Sequence, residues 1–125
     1  MKDTWIYRRG DIYLVDLGTT VGSEQGGCRP VLLIQNDVGN YYGPTLIVAP
    51  ITSRHFKKVK QPTHFPLVGV DNLTCPSVVL TEQIITIDKM RVMKYLGKVT
   101  EDQLQGIDKA VKVSLGLEPC CFTRI

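Results

Sequence analysis

A chain of 125 residues, 43% hydrophobic and 22% charged with a net charge of +3, has the length and composition of one ordinary globular domain. Its longest apolar run, Leu46 to Ile51, is too short to span a membrane, and residues 1–9 lack the apolar stretch of a secretion signal. We therefore expect a single cytoplasmic domain over residues 1–125, with its core at about 8–117 and a variable tail at 118–125.

Strand signals dominate the first three-quarters of the chain. Five segments have the length and composition of strands: 11–17, 30–36, 45–52, 63–67 and 77–84. The first alternates its side chains between two faces. The second and third are continuous apolar runs, which predicts burial on both faces, and Pro50 marks a bulge or an edge. Short strands separated by turns favour a small barrel or a curled sheet.

The last quarter of the chain changes to a helical period. Thr100 is a good N-cap, and Gln103 three residues later completes a capping box. Apolar residues follow at helical spacing, and Gly116 is a suitable stop. A shorter helix is predicted over 87–94, entered through Asp88. Both helices are expected to pack their apolar side chains, methionines included, against the sheet.

The stretch GSEQGGCRP, residues 22–30, combines three glycines with an arginine and a proline. It fits neither the dinucleotide fingerprint nor a P-loop, and the segment after it is a predicted strand rather than a helix. We interpret it as a loop between two antiparallel strands, with Arg29 at the start of the second. A fixed guanidinium there could bind a phosphate through two parallel hydrogen bonds, whereas a structural ion pair is the commoner use of such an arginine.

Further polar residues stand where strands end. Thr52 and Ser53 could hydrogen-bond a phosphate, or could simply satisfy local backbone groups. His64 lies beyond them, although a lone histidine is more often structural than catalytic. Glu82 and Gln83 could read the edges of bases, or could mark the point where their strand leaves the core.

A basic segment lies between Ser53 and His64 in the sequence. Positions 38–70 contain no acidic residue, and the four basic residues within them are Arg54, Lys57, Lys58 and Lys60. Such a segment suits an anionic partner, nucleic acid or an acidic peptide, and equally suits a solvated loop.

The four cysteines are Cys28, Cys75, Cys120 and Cys121. They contain no Cys-x-x-Cys pair, and the two histidines are too scattered to complete a usual zinc motif. A disulfide framework is not expected in the cytoplasm. We therefore predict free, structural thiols, with no metal and no cofactor.

Several blocks together resemble a known family, the MazF/PemK toxins. These are RRGDIYLVDL, GSEQGGCRPVLLIQND, PTLIVAPITS, KQPTH and LTEQIITIDKMRV, and the resemblance extends from Arg8 to Leu117, looking closest to the MazF branch of Gram-positive bacteria. It implies an α+β fold, an SH3-like antiparallel barrel of the CcdB/MazF kind with a C-terminal helix, that forms a homodimer. It also implies the toxin of a type II toxin–antitoxin system, which cuts single-stranded RNA without metal or ribosome and is opposed by an acidic MazE-like antitoxin.

The resemblance also assigns roles to residues. It implies that Arg29 and Thr52 are the catalytic pair, and that a loop containing Ser23, Glu24 and Gln25 closes over the RNA. Further RNA contacts are implied for a second set: Ser53, His64, Glu82 and Gln83. The implied products are a 2′,3′-cyclic phosphate and a 5′-hydroxyl, and the candidates for the general base are His64 and Glu24.

Three departures from the family pattern leave the recognised RNA sequence open: Cys28 in place of an aliphatic residue, the basic segment, and the tail after Leu117. Two other functions are compatible with the sequence. One is a non-enzymatic barrel of the CcdB kind that binds a topoisomerase, and the other is an RNA-binding module without activity.

Overall fold

The computed structural model describes residues 6–19, 21–22, 26–53, 61–73 and 75–119. The strands are β1 (Asp11–Asp16), β2 (Cys28–Leu33), β3 (Thr45–Thr52), β4 (His64–Leu67), β5 (Ser77–Leu80), β6 (Ile85–Asp88) and β7 (Val92–Lys98). The helices are α1 (Asp37–Tyr42) and α2 (Glu101–Ser114), and 3₁₀ turns cover Thr81–Gln83 and Lys89–Arg91. The predicted class, an antiparallel sheet with a C-terminal helix, is confirmed. None of the helices in the described part of the chain has the length and apolar character needed to cross a membrane.

The seven strands form one antiparallel sheet of order β4-β5-β3-β2-β1-β7, and β6 pairs with β3 beside this path. The central strands bury both of their faces, as predicted. In β2, Val31 and Leu33 pack in one apolar cluster with Tyr13, whereas Leu32 packs in a second cluster that includes Ile107 of α2. Because successive side chains of a strand point to opposite faces, one short apolar run supplies both clusters.

Strand β3 changes its partner along its length. Its residues Thr45–Val48 pair with β6, and its last two residues, Ile51 and Thr52, pair with β5. Pro50, the predicted bulge or edge, lies in the interval between the two ladders. A proline has no N–H to donate, so the interval is a place where a ladder can end without an orphaned backbone donor.

The helix predicted over 87–94 is wrong. The segment contains the end of β6, a 3₁₀ turn and the start of β7, because pairing with β3 and β1 outweighs the local helical spacing. Asp88 does act as a cap, but only of the 3₁₀ turn, where its carboxylate accepts a hydrogen bond of 2.8 Å from the Met90 N–H. Met90 and Met93 are 84% and 56% exposed, so these methionines are not core residues.

The predicted C-terminal helix is confirmed at both ends. The Thr100 hydroxyl accepts from the Gln103 N–H, and the Gln103 side-chain oxygen accepts from the Thr100 N–H, which completes the capping box. Gly116 follows the helix with a φ of +76°, a conformation that favours glycine. The short helix α1, which the sequence analysis missed, begins with Asn36 as its cap, accepting from the Gly39 N–H.

A polar contact that we call the Arg9 clamp fastens α2 to the sheet. The guanidinium of Arg9 binds both carboxylate oxygens of Asp108, at 2.6 and 3.2 Å, and its Nε donates to the carbonyl of Ile34. The clamp therefore lies at the end of β2 that is opposite to Arg29. Two parallel hydrogen bonds fix the geometry more firmly than a single surface ion pair would.

Gly106 lets α2 lie close to β4. A Cβ at this position would overlap the ring of Phe65. We expect Gly106→Ala to lower the free energy of unfolding by about 1 kcal/mol, because the overpacking cost exceeds the helix propensity that alanine adds. Thermal unfolding measures the effect.

The control for this change is Gln105→Ala, at an exposed neighbouring position of the same helix, which should be neutral or slightly stabilising. Adding Phe65→Leu to Gly106→Ala should recover part of the loss, because the smaller side chain leaves room for the methyl group. A Gly106→Ala protein that is more stable than the wild type would contradict the close packing.

Candidate functional site

An open cavity of about 400 Å³ lies where β2 begins and β3 ends. Its polar residues include Arg29, Thr52 and Ser53, all three of which the sequence analysis selected. Its apolar lining is formed by Leu14, Pro30, Ile51, Leu73 and Leu96. We call it the Arg29 cavity.

The register of the sheet explains why Arg29 and Thr52 line the same cavity. Strands β2 and β3 pair at Leu33 with Val48 and continue to Val31 with Pro50, where the ladder ends. Two further steps in the same register would place Arg29 opposite Thr52. The strands separate before that point, since the next backbone donor that β2 would offer to β3 belongs to Pro30, which has no N–H. The gap between the separated strand ends is the cavity.

The side chain of Arg29 is held by a hydrogen bond to the backbone. Its Nε donates a hydrogen bond of 2.7 Å to the carbonyl of Gly26, and the residue is half-buried. The hairpin closes one residue before β2, where Gly27 exchanges backbone hydrogen bonds with Leu17 and Gly18 at a φ of +74°. Among the described residues no carboxylate forms an ion pair with Arg29, so nothing in that part of the chain supports a structural ion pair.

Thr52 and Ser53 stand at the end of β3 in different surroundings. Thr52 is 4% exposed and pairs with Val78 of β5, whereas Ser53 is exposed. Because β5 holds the backbone of Thr52, the sheet fixes the point from which its side chain projects. A hydroxyl held in this way, facing a cavity that also contains a guanidinium, can donate to an anion there.

His64 and Glu82 come together, but not in the Arg29 cavity. The Nε2 of His64 lies 2.9 Å from one Glu82 oxygen, and the hydroxyl of Thr63 donates to the other at 3.2 Å. Thr52 pairs with Val78 of β5, which pairs with Pro66 of β4, and His64 lies two residues before Pro66. These two strand spacings and two residues put the backbones of His64 and Thr52 roughly 12 Å apart. His64 instead lines a different cavity, between β4 and α2.

Glu82 and Gln83 belong to the 3₁₀ turn after β5, not to the predicted strand, which ends at Leu80. The His64 side chain is 8% exposed, and its Nδ1 is buried without a hydrogen bond among the described residues. The pair therefore joins the turn to β4 with both carboxylate oxygens in use. Gln83 is half-buried beside it.

Several predicted residues lie outside the described part of the chain. They are Ser23, Glu24 and Gln25 of the loop, the basic residues Arg54, Lys57, Lys58 and Lys60, and Cys120 and Cys121 of the tail. Conversely, the sequence analysis missed Asn72, Leu73 and Leu96 as lining residues. The first two come from a loop without a motif, and the third from the part of β7 that lies beyond the helix predicted over 87–94.

The described cysteines are not structural residues of the core. Cys28 and Cys75 are exposed thiols rather than halves of a disulfide, and Cys75 lines the Arg29 cavity. Within the described ranges, no group of three or more histidine, cysteine or acidic side chains is arranged to hold a metal ion.

The sequence of the chain matches a known protein family. The family of PemK-like, MazF-like toxins of type II toxin–antitoxin systems matches residues 8–115, which is most of the chain and includes both sides of the Arg29 cavity. The chain belongs to this family.

Solved structures of similar fold come from mycobacteria and Deinococcus. An endoribonuclease from a mycobacterial species, solved with its cognate antitoxin, is 26% identical with a TM-score of 0.72, and the match covers 92% of this chain and 98% of that one. MazF from Deinococcus radiodurans is 24% identical with a TM-score of 0.75, covering 90% and 98%. The Mycobacterium tuberculosis toxin MazF-mt6 is 24% identical with a TM-score of 0.73, covering 86% and 98%.

The contact between His64 and Glu82 is expected to contribute to the stability of the folded protein. Glu82→Ala should lower the free energy of unfolding by about 1 kcal/mol, because it leaves the Nε2 of the largely buried His64 side chain without this partner. Glu82→Gln keeps an accepting oxygen and should lose less. Urea denaturation compares the variants, with the exposed Asp71→Ala as a control expected within about 0.5 kcal/mol of the wild type. Equal stability of Glu82→Ala and the wild type would show that the contact contributes nothing.

Proposed function

We propose that this toxin is a sequence-specific endoribonuclease that cleaves single-stranded RNA and so inhibits translation. The observation that carries the proposal is the presence of Arg29 and Thr52 in one open cavity. Membership of the PemK-like, MazF-like family supports it, as does the likeness to a solved mycobacterial endoribonuclease. A topoisomerase-binding barrel or an inactive RNA-binding module would have no need of that pairing.

The proposed reaction uses the nucleophile that RNA itself contains. The ribose 2′-hydroxyl attacks the adjacent phosphorus, the bond to the 5′-oxygen breaks, and the products are a 2′,3′-cyclic phosphate and a 5′-hydroxyl. The protein must hold the attacking and leaving oxygens in line and stabilise the charge that develops on the phosphate. No activated water is needed for this step.

Arg29 suits the electrostatic part of this reaction. Its Nε is held by Gly26, which leaves the terminal nitrogens of the guanidinium to donate to a phosphate in the cavity. Because an arginine in a protein stays protonated, we do not assign it as the general base. Thr52 would orient the phosphate or the attacking hydroxyl through its own hydroxyl group.

The position of His64 argues against a role as general base. Its Nε2 is engaged by Glu82, and it lies roughly 12 Å along the sheet from Thr52. A base must come within hydrogen-bond reach of the proton that it removes. Of the two candidates, this leaves Glu24 of the loop, which is outside the described residues.

We also propose how the remaining predicted residues meet RNA. Ser53 is exposed at the rim of the cavity and can contact the nucleotide beside the cleaved bond. The loop that contains Ser23, Glu24 and Gln25 would cover the strand. His64 and Glu82 would act by holding the turn that carries Gln83, since their side chains are engaged with each other.

We propose two protein partners, a second copy of this chain and an acidic MazE-like antitoxin. The solved mycobacterial relative was captured with its cognate antitoxin, which supports the second proposal. The basic segment at Arg54–Lys60 would attract both an acidic antitoxin and RNA. Such a toxin would act in the cytoplasm, where its RNA substrate is found.

Arg29→Ala should reduce RNA cleavage by about 100-fold or more, since it removes the principal donor to the developing charge. The assay is cleavage of a long single-stranded RNA in the presence of EDTA. The matched control is Arg8→Ala, because Arg8 is an exposed arginine near the opposite end of the sheet. That control should cleave like the wild type. Full activity of Arg29→Ala would refute the assignment.

The hydroxyl of Thr52 can be tested by two substitutions. Thr52→Val keeps the branched shape and removes the hydroxyl, and it should slow cleavage about tenfold or more, the equivalent of one hydrogen bond in the transition state. Thr52→Ser keeps the hydroxyl and should retain most of the rate. Melting temperatures of both variants control for folding, because Thr52 is buried. Equal rates for the valine and serine variants would exclude a role for the hydroxyl.

A further inference from the structure

An exposed lysine stands beside the Arg29 cavity, on strand β7. Lys94 pairs with Leu14 of β1, which pairs in turn with Pro30 of β2, and both of these partners line the cavity. Residues directly opposite each other in an antiparallel pair share a face, and their Cβ atoms are about 5 Å apart. The Lys94 side chain therefore starts on the cavity face of the sheet, about 10 Å from Pro30.

The ammonium group of Lys94 forms no ion pair with the described part of the chain. Asp16, the next residue on that face of β1, uses its carboxylate to accept a hydrogen bond of 2.8 Å from the Gly18 N–H. A second exposed cation, Arg91, lies at the same end of the sheet, where it donates to the backbone carbonyl of Asp16. The surface beside the cavity is therefore positive, with a lysine that is available to an anion.

A second lysine of the same strand has different surroundings. Lys98 is also exposed, but it pairs with Asp11 and lines another cavity, of about 300 Å³, together with Glu101. An anion at that cavity would meet two carboxylates. In contrast, no acidic residue is among the described residues that line the Arg29 cavity. Of the two lysines, Lys94 is therefore the one suited to a phosphate.

The position of Lys94 complements that of the residues on the opposite rim. Thr52 and Ser53 belong to the end of β3, whereas Lys94 lies beyond β1 on the other side of the cavity. RNA carries a negative charge at every linkage, so a strand that crosses the cavity brings a second phosphate toward β1. A lysine binds phosphate as a point charge on a flexible stem, so it can reach this group without a preformed cradle.

We propose that Lys94 binds the phosphate next to the cleaved one, on the side where the RNA passes over β1. This inference rests on the proposed endoribonuclease function and adds a substrate-binding residue to it. Because that phosphate does not react, the contact is equally strong in the ground state and the transition state. Its loss therefore raises KM and leaves kcat unchanged, unlike the loss of Arg29.

The test compares Lys94→Ala with its matched control Lys98→Ala on a short RNA that carries the sequence cut by the wild type. Lys94→Ala should raise KM about fivefold and cut at the same position, since a phosphate contact carries no sequence information. The plot of log kcat/KM against log salt concentration should become shallower by about 0.7, the value for one contact on a single strand. Lys98→Ala should match the wild type, and Lys94→Arg should retain most of the affinity.

An uncharged linkage locates the contact. Two further substrates each replace one phosphate that flanks the cut with a methylphosphonate beside a 2′-deoxyribose, and their controls have the same deoxyribose with an ordinary phosphate. The wild type should lose about fivefold in kcat/KM on one of the two. Lys94→Ala should lose nothing more on that substrate, because the charge that the lysine contacts has already been removed.

Three results would overturn the inference while leaving the nuclease function intact. The first is a Lys94→Ala protein with the KM and the salt dependence of the wild type. The second is an equal loss in Lys98→Ala, which would indicate a general effect of surface charge. The third is a methylphosphonate effect that persists in full in Lys94→Ala at both linkages. A wild-type protein that cleaves no single-stranded RNA would instead refute the proposed function itself.

Discussion

The separation of β2 from β3 is the feature on which the site depends. The two strands pair over three residue pairs and then part, with Pro30 and Pro50 at the point of departure. From there β3 turns to β5, while the start of β2 stays with β1 alone. A proline that cannot donate to a ladder ends the pairing without leaving a buried N–H unsatisfied. The fold thereby opens a cavity between two strands whose other ends are tightly buried.

The sequence predicted the elements whose signal is local. The alternation in β1, the apolar runs of β2 and β3, and the cap of α2 at Thr100 all have short-range causes, and each is confirmed. The helix predicted over 87–94 is wrong because pairing with distant strands decides the secondary structure of this segment. Asp88 shows what a local pattern leaves open. Its capping role was predicted, but it caps a 3₁₀ turn of three residues instead of a helix.

The site shows the same division between local and distant causes. Arg29 and Thr52 could be selected from the family resemblance, and the sheet register then explains why they line one cavity. The separation of His64 from that cavity depends on which strands are neighbours, a property that no short stretch of sequence specifies. Asn72 lies in a loop, and only the three-dimensional structure shows that it lines the cavity and donates to the carbonyl of Leu96 on β7.

The Arg9 clamp bears on how such a protein can acquire a new target. Ile34, which accepts from Arg9, lies five positions after Arg29 in the chain, a distance of roughly 16 Å in an extended strand. The fastening of the helix and the cavity that meets the ligand are therefore at opposite ends of one strand. Substitutions at exposed positions of the rim, such as Ser53, can accumulate without disturbing the Arg9 clamp, so recognition can diverge among descendants while the scaffold is inherited unchanged. A laboratory library confined to the exposed rim of the cavity would exploit the same separation.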